Sequence, residues 1–111
     1  MRKSVKKVYK QVDSTKFRSD FNKFSKKFKG LRGDFEELKN INKLNPNNKY
    51  SKKLQSFKGR KYVRYKTPYM KGKGIRIIAE VTEFVKYEYI AMRDTIYEKF
   101  RNWFKKSGKK K

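Results

Sequence analysis

Of 111 residues, 34 are Lys or Arg and only 10 are Asp or Glu, a formal net charge of +24 that marks a polyanion as the natural partner. The chain has no Cys and no His, which excludes a disulfide framework, thiolate metal sites and every His-dependent nucleophilic or general-base arrangement. No apolar run approaches the ~18 residues of a membrane span, and Met1-Arg2-Lys3-Ser4 leads into no apolar signal core, so one small domain over 1–111 with a cytoplasmic location is expected.

Val5, Val8, Tyr9 and Val12, set among lysines, predict a short strand over 5–12. Phe17, Phe21, Phe24 and Phe28 follow at helical spacing, so their rings share one stripe of a helix capped by Asp13 or Ser14 and ended near Gly30. Arg18, Lys23, Lys26 and Lys27 cover much of its other surface. Phe35, Leu38, Ile41 and Leu44 predict a second helix from about Gly33 to Leu44, with Asp34, Glu36 and Glu37 in its first turn and Asn45-Pro46 at its end. The short connection makes the pair an antiparallel hairpin. Asn47 to Ser56 reads as a polar loop with a brief apolar contact at Leu54 and Phe57.

The second half changes period. Residues 61–67 alternate, Val63 and Tyr65 against Tyr62, Arg64 and Lys66. Pro68 to Gly74 reads as a flexible basic turn. Ile75, Ile77, Ala79 and Val81 then oppose Arg76, Ile78 and Glu80, and Thr82-Glu83 turns the chain into a strand over 84–92. Val85, Tyr87, Tyr89 and Ala91 are expected on one face of that strand. A final helix begins at Asp94 or Thr95, buries Ile96, Phe100, Trp103 and Phe104, and gives way to a disordered basic tail over 105–111. The predicted class is α+β, in the order β-α-α-β-β-β-α, with the three strands of the second half forming an antiparallel meander.

From Lys58 to Ile78 there are eight basic residues and no acid: Lys58, Arg60, Lys61, Arg64, Lys66, Lys71, Lys73 and Arg76. Strand pairing brings Arg64, Lys66 and Arg76 to one face, and Arg93 with Tyr97 one helical turn later approaches it from the last strand. The plainer alternative is a solvated basic face with Tyr97 packed between helix and sheet. RNA carries its own nucleophile, the 2′-hydroxyl, so fixed Arg and Lys donors suffice to orient the backbone and stabilise charge at the phosphate. Arg offers a rigid fork for phosphate oxygens. Tyr97 is a base if neighbouring cations favour its phenolate over the reference pKa of about 10, and otherwise a stacking partner for an unstacked base. The acids form no metal-ligand series, although Glu80 and Glu88 are expected to face each other across the hairpin. Lys71-Gly72-Lys73-Gly74 lacks the full phosphate-loop pattern, so no metal and no cofactor is expected.

The order and spacing of these segments resemble the RelE/ParE toxin superfamily over nearly the whole chain. The carrying strings are KFRSDFNKFSKKF in the helical hairpin, the NP after it, KLQSFKGRKYVRYKTPY, GIRIIAEV and IAMRDTIY. The resemblance implies a toxin that cuts messenger RNA in the ribosomal decoding site and is neutralised by an acidic antitoxin from the same operon. The family's functional positions look like Arg64, Lys66, Arg76, Arg93 and Tyr97, with the other basic residues of the 58–76 stretch and of the first helix toward RNA. Tyr62 stands where some members carry a lysine, and Met92 where many have a histidine. The other readings are a ribosome- or nucleic-acid-binding protein without catalysis and a gyrase inhibitor of the ParE branch.

Overall fold

Ser14 turns the chain from strand into helix. Its backbone N–H donates to Tyr87 O at 3.0 Å, and its Oγ accepts the Phe17 N–H at 3.1 Å, which satisfies one of the free donors of the first helical turn. In the computed structural model, which describes residues 8–54, 59–69 and 74–106, β1 (Lys10–Asp13) precedes this cap and α1 (Thr15–Lys27) follows it. Ser14→Ala should lower the unfolding free energy by about 1 kcal/mol, read as a shift of the urea midpoint.

Phe28 closes α1 with its N–H on Phe24 O, and Gly30, at φ +86°, reverses the chain into α2 (Leu31–Leu44). The second helix starts two residues earlier than the Gly33 expected from the sequence, because the left-handed glycine serves as its N-cap. Four further strands and a helix complete the fold: β2 (Ser51–Lys53), β3 (Tyr62–Tyr65), β4 (Ile75–Val81), β5 (Phe84–Met92) and α3 (Ile96–Lys106). The class is α+β: three helices and a five-stranded mixed sheet in the order β1-β5-β4-β3-β2. The parallel pair is β1 with β5, from Lys10 opposite Phe84 to Asp13 opposite Tyr87, and the rest is antiparallel.

Strand alternation feeds two cores on opposite faces of the sheet. On one face Val63, Tyr65, Ile75, Ile77, Ala79, Val85, Tyr87 and Ile90 meet Phe17, Phe21, Leu31, Phe35 and Leu38 of the helical hairpin. On the other, Tyr62, Ile78 and Ala91 meet Ile96, Phe100 and Phe104 of α3.

Three sequence expectations require correction. The supposed loop after α2 contains β2, so the order is β-α-α-β-β-β-β-α. Asn48 builds the turn into it, donating to Asn42 Oδ1 at 2.8 Å and accepting from Tyr50 N at 2.9 Å. Ser51, Lys52 and Lys53 then pair with Tyr65, Arg64 and Val63 as a short lysine-bearing edge. Secondly, β5 does not keep one face throughout. A register shift opposite Ile78/Ala79 makes Glu88 an extra residue, so Val85 and Tyr87 share a core with Ile90, while Tyr89 and Ala91 face α3. Thirdly, Glu80 pairs with Lys86, and the bulge removes Glu88 from the position across the hairpin. In addition, α3 includes Lys105 and Lys106, two residues of the stretch read as tail; 107–111, like 5–7 of the first predicted strand, lie outside the described residues. Among the described residues no helix is long and apolar enough to cross a membrane.

Candidate nucleic-acid interface

The alternation that buries Val63 and Tyr65 against the hairpin turns Arg64 to the α3 side of β3. On β4 it likewise turns Arg76 to that side, opposite Ala91. Strand directions put the end of β3, the start of β4 and the end of β5 at the same end of the sheet. Gly74, at φ +80°, lets β4 begin close against β5: a Cβ there would stand 3.0 Å from Met92 Cε, and its carbonyl accepts the Arg93 N–H at 2.6 Å. That bond fixes Arg93 one residue beyond Met92, and Tyr97 follows in the first turn of α3.

Arg76 is the centre of this corner. Only 5% of it is exposed, its Nη1 donates to Ile75 O at 2.9 Å, and its Nε is buried with no hydrogen-bond partner among the described residues. Arg64 Nε is buried and unpartnered in the same sense. Burial pushes the Arg76 pKa down, the Arg64 and Arg93 charges push it further down, and Tyr97 opposes them. Groups from β3, the turn after β5 and α3 therefore all act on Arg76 of β4. Arg93 and Tyr97 are exposed, and the Arg93 Nε lies 3.8 Å from the carboxylate of solvent-facing Asp94, a pair too exposed to neutralise the corner. Buried guanidinium donors that have no partner among the described residues suit a site that an anion completes.

The remaining candidates fall into separate places. Lys66 is half-buried just past β3, with its N–H on Tyr50 O at 3.0 Å. Arg60 is withdrawn from the corner: its Nη2 donates to Glu80 Oε1 at 2.8 Å, its guanidinium lies 5.9 Å from the Tyr62 ring, and Glu80 pushes its pKa up. With exposed Lys61 it borders a cavity of about 740 Å³ at the opposite end of β3. Tyr62 is a core residue at that end, packed edge-on to Phe100 at 4.8 Å.

Arg18, Lys23, Lys26 and Lys27 are exposed on α1, on the other side of the sheet. Lys23 and Lys27, with Phe24, Met92, Lys99 and the Lys16–Asp20 ion pair at 2.8 Å, line a groove of about 430 Å³ beside the end of β5. The sequence reading omitted Lys16 and Lys99. Lys16, Lys23 and Lys27 lie at helical spacing on one stripe, a signal that was available; Lys99 depends on how α3 docks. Lys58, Lys71 and Lys73 lie outside the described residues. The chain matches no model of a known protein family, no curated protein and no solved structure.

Proposed function

We propose that this chain is a RelE-like, ribosome-dependent messenger-RNA endonuclease toxin. The observation that carries the reading is the corner itself: Arg64, Arg93 and Tyr97 all act on buried Arg76, whose Nε lacks a partner among the described residues. In such a site the 2′-oxygen of RNA attacks the adjacent phosphorus. The 2′-O–P bond forms, the P–O5′ bond breaks, the 2′ proton leaves to a base, and the 5′ oxygen takes a proton from solvent. The products are a 2′,3′-cyclic phosphate and a 5′-hydroxyl. Arg64, Arg76 and Arg93 hold the non-bridging oxygens, where negative charge concentrates as the fifth bond forms. Lys66 adds a donor to the flanking phosphate. Tyr97 takes the 2′ proton or stacks on the base. The lysines of α1 supply sequence-independent attraction to ribosomal RNA, and an acidic antitoxin is the natural occupant of so basic a surface between bouts of activity.

The test is to induce the chain in cells and map transcript 5′ ends beside an Arg76→Ala/Arg93→Ala control. New ends inside reading frames, absent in the control, are the expected result. Unchanged transcripts together with altered plasmid supercoiling would transfer the reading to the gyrase-inhibiting branch. Unchanged transcripts and supercoiling, with ribosome binding retained, would leave a non-catalytic binding protein.

A further inference from the structure

Lys52 and Lys53 are neighbours in sequence and stand on opposite faces of the sheet. Lys53 pairs with Val63, whose side chain enters the core under the helical hairpin, and it borders the cavity of about 740 Å³. Lys52 pairs with Arg64. Residues directly opposite in antiparallel strands send their side chains to one face, with Cβ atoms about 4.5–5.5 Å apart. Leu54, two residues beyond Lys52, packs against the α3 core, which agrees with that face. An exposed lysine therefore stands immediately outside the arginine whose charge acts on Arg76.

The pairing is unfavourable by itself, because like charges directly opposite on a sheet repel. Among the described residues neither Lys52 nor Arg64 has an acidic partner. Protection of a sheet edge accounts for a lysine somewhere on β2, a duty that Lys53 performs equally. It does not account for a lysine set against a guanidinium whose Nε is buried without a partner among the described residues. An anion lying over the two cations replaces their repulsion with shared attraction. Lys52, Arg64 and Arg76 step across three adjacent strands, β2, β3 and β4. The outer two of these strands lie about 10 Å apart, so the row suits neighbouring phosphates of one chain better than a single anion.

We infer that Lys52 holds the phosphate next to the one in the arginine corner, so that the bound strand leaves the corner across β3 toward the β2 edge. The inference rests on the proposed reading of that corner as an RNA site, to which it adds a residue and a direction.

Two 2′-O-methyl probes, which lack the nucleophile and are not cut, separate the corner from its extension: a dinucleotide with a single bridging phosphate, and an octanucleotide. Each phosphate contact to a single strand contributes about 0.7 to the slope of log affinity against log salt. Lys52→Ala should therefore lower the octanucleotide slope by about 0.7 and its affinity in ~0.1 M salt about fivefold. The same variant should bind the dinucleotide like the parent. Lys52→Arg, which keeps the charge, should bind both probes like the parent. So should Lys53→Ala, which removes the same charge one residue away on the other face. An equal effect of Lys52→Ala and Lys53→Ala on the octanucleotide, or a loss on the dinucleotide as large as on the octanucleotide, would overturn the inference. Arg64→Ala should weaken both probes. If it does while Lys52→Ala weakens neither, the inference fails and the proposed function stands. If Arg64→Ala leaves both bound as before, the corner is no anion site, and the proposed function fails with it.

Discussion

Arg76→Ala should reduce ribosome-dependent cleavage by about a hundredfold or more, the scale of losing one preorganised donor to developing charge. The companion substitution Arg76→Met should also make the protein more stable. The guanidinium is buried, its pKa is pushed down by burial and by the Arg64 and Arg93 charges, and its Nε has no partner among the described residues. An apolar chain of similar length keeps the packing and removes the repulsion. The lost bond to Ile75 O offsets part of this gain. A net increase of about 1 kcal/mol is expected, which corresponds to roughly 4–8 °C in Tm for a domain of this size. Tripolyphosphate should raise the Tm of the parent chain and not that of Arg76→Met, since a ligand stabilises only the state that binds it. A lower Tm for Arg76→Met would make the guanidinium a structural element. Parent-like cleavage by Arg76→Ala, measured by primer extension with ribosomes, would remove it from the reaction.

The corner was legible because its residues obey local rules. Alternation places Val63 and Tyr65 opposite Arg64, and Ile75 and Ile77 opposite Arg76; two strands with those patterns can bury their apolar sides together only by bringing the arginines to one face. The i, i+4 relation of Arg93 and Tyr97 is equally local. What escaped the sequence depended on partners distant in the chain. Residues 51–53 have no apolar alternation, and they form a strand only because β3 offers an open edge and Asn48 sets the turn. The bulge at Glu88 leaves no mark in FVKYEYIAM, so Tyr89 and Ala91 were assigned to the wrong face. Arg60 looked like one more phosphate contact in a basic run, and nothing local shows that Glu80, twenty residues on, would hold it. The Asp34–Tyr69 bond joins residues 35 apart in sequence and is invisible to any periodicity. Local pattern thus located the cations, while long-range pairing decided which of them remained available.

Alkaline unfolding should begin just above pH 10 and be complete within about two pH units, driven by three buried tyrosines. Tyr62, Tyr65 and Tyr87 are each no more than 1% exposed. Burial pushes the Tyr62 pKa up to about 12, with Glu80 adding to the shift and Arg60 opposing it. Burial also raises Tyr65, whose hydroxyl donates to Pro46 O at 2.7 Å, and Tyr87, where the bond from Asn42 only partly opposes the effect. In the unfolded chain a tyrosine loses its proton near pH 10. Above that pH the folded state therefore binds more protons than the unfolded state, and stability falls as pH rises. The contribution of the three hydroxyls is intact below pH 10 and is lost as the pH climbs toward their folded pKa values. Each costs about 1.4 kcal/mol per pH unit, so three cost about 4, a large part of the 5–15 kcal/mol that holds a typical domain together. Lysines losing charge over the same range relieve self-repulsion and delay the transition without reversing its sign. Tyrosinate absorbance should therefore rise together with the loss of far-ultraviolet circular dichroism, and Tyr62→Phe should move the midpoint to higher pH. A fold that stays intact to pH 12 while these tyrosines ionise one by one would mean that their hydroxyls reach water and that the sheet's two cores are looser than their packing indicates.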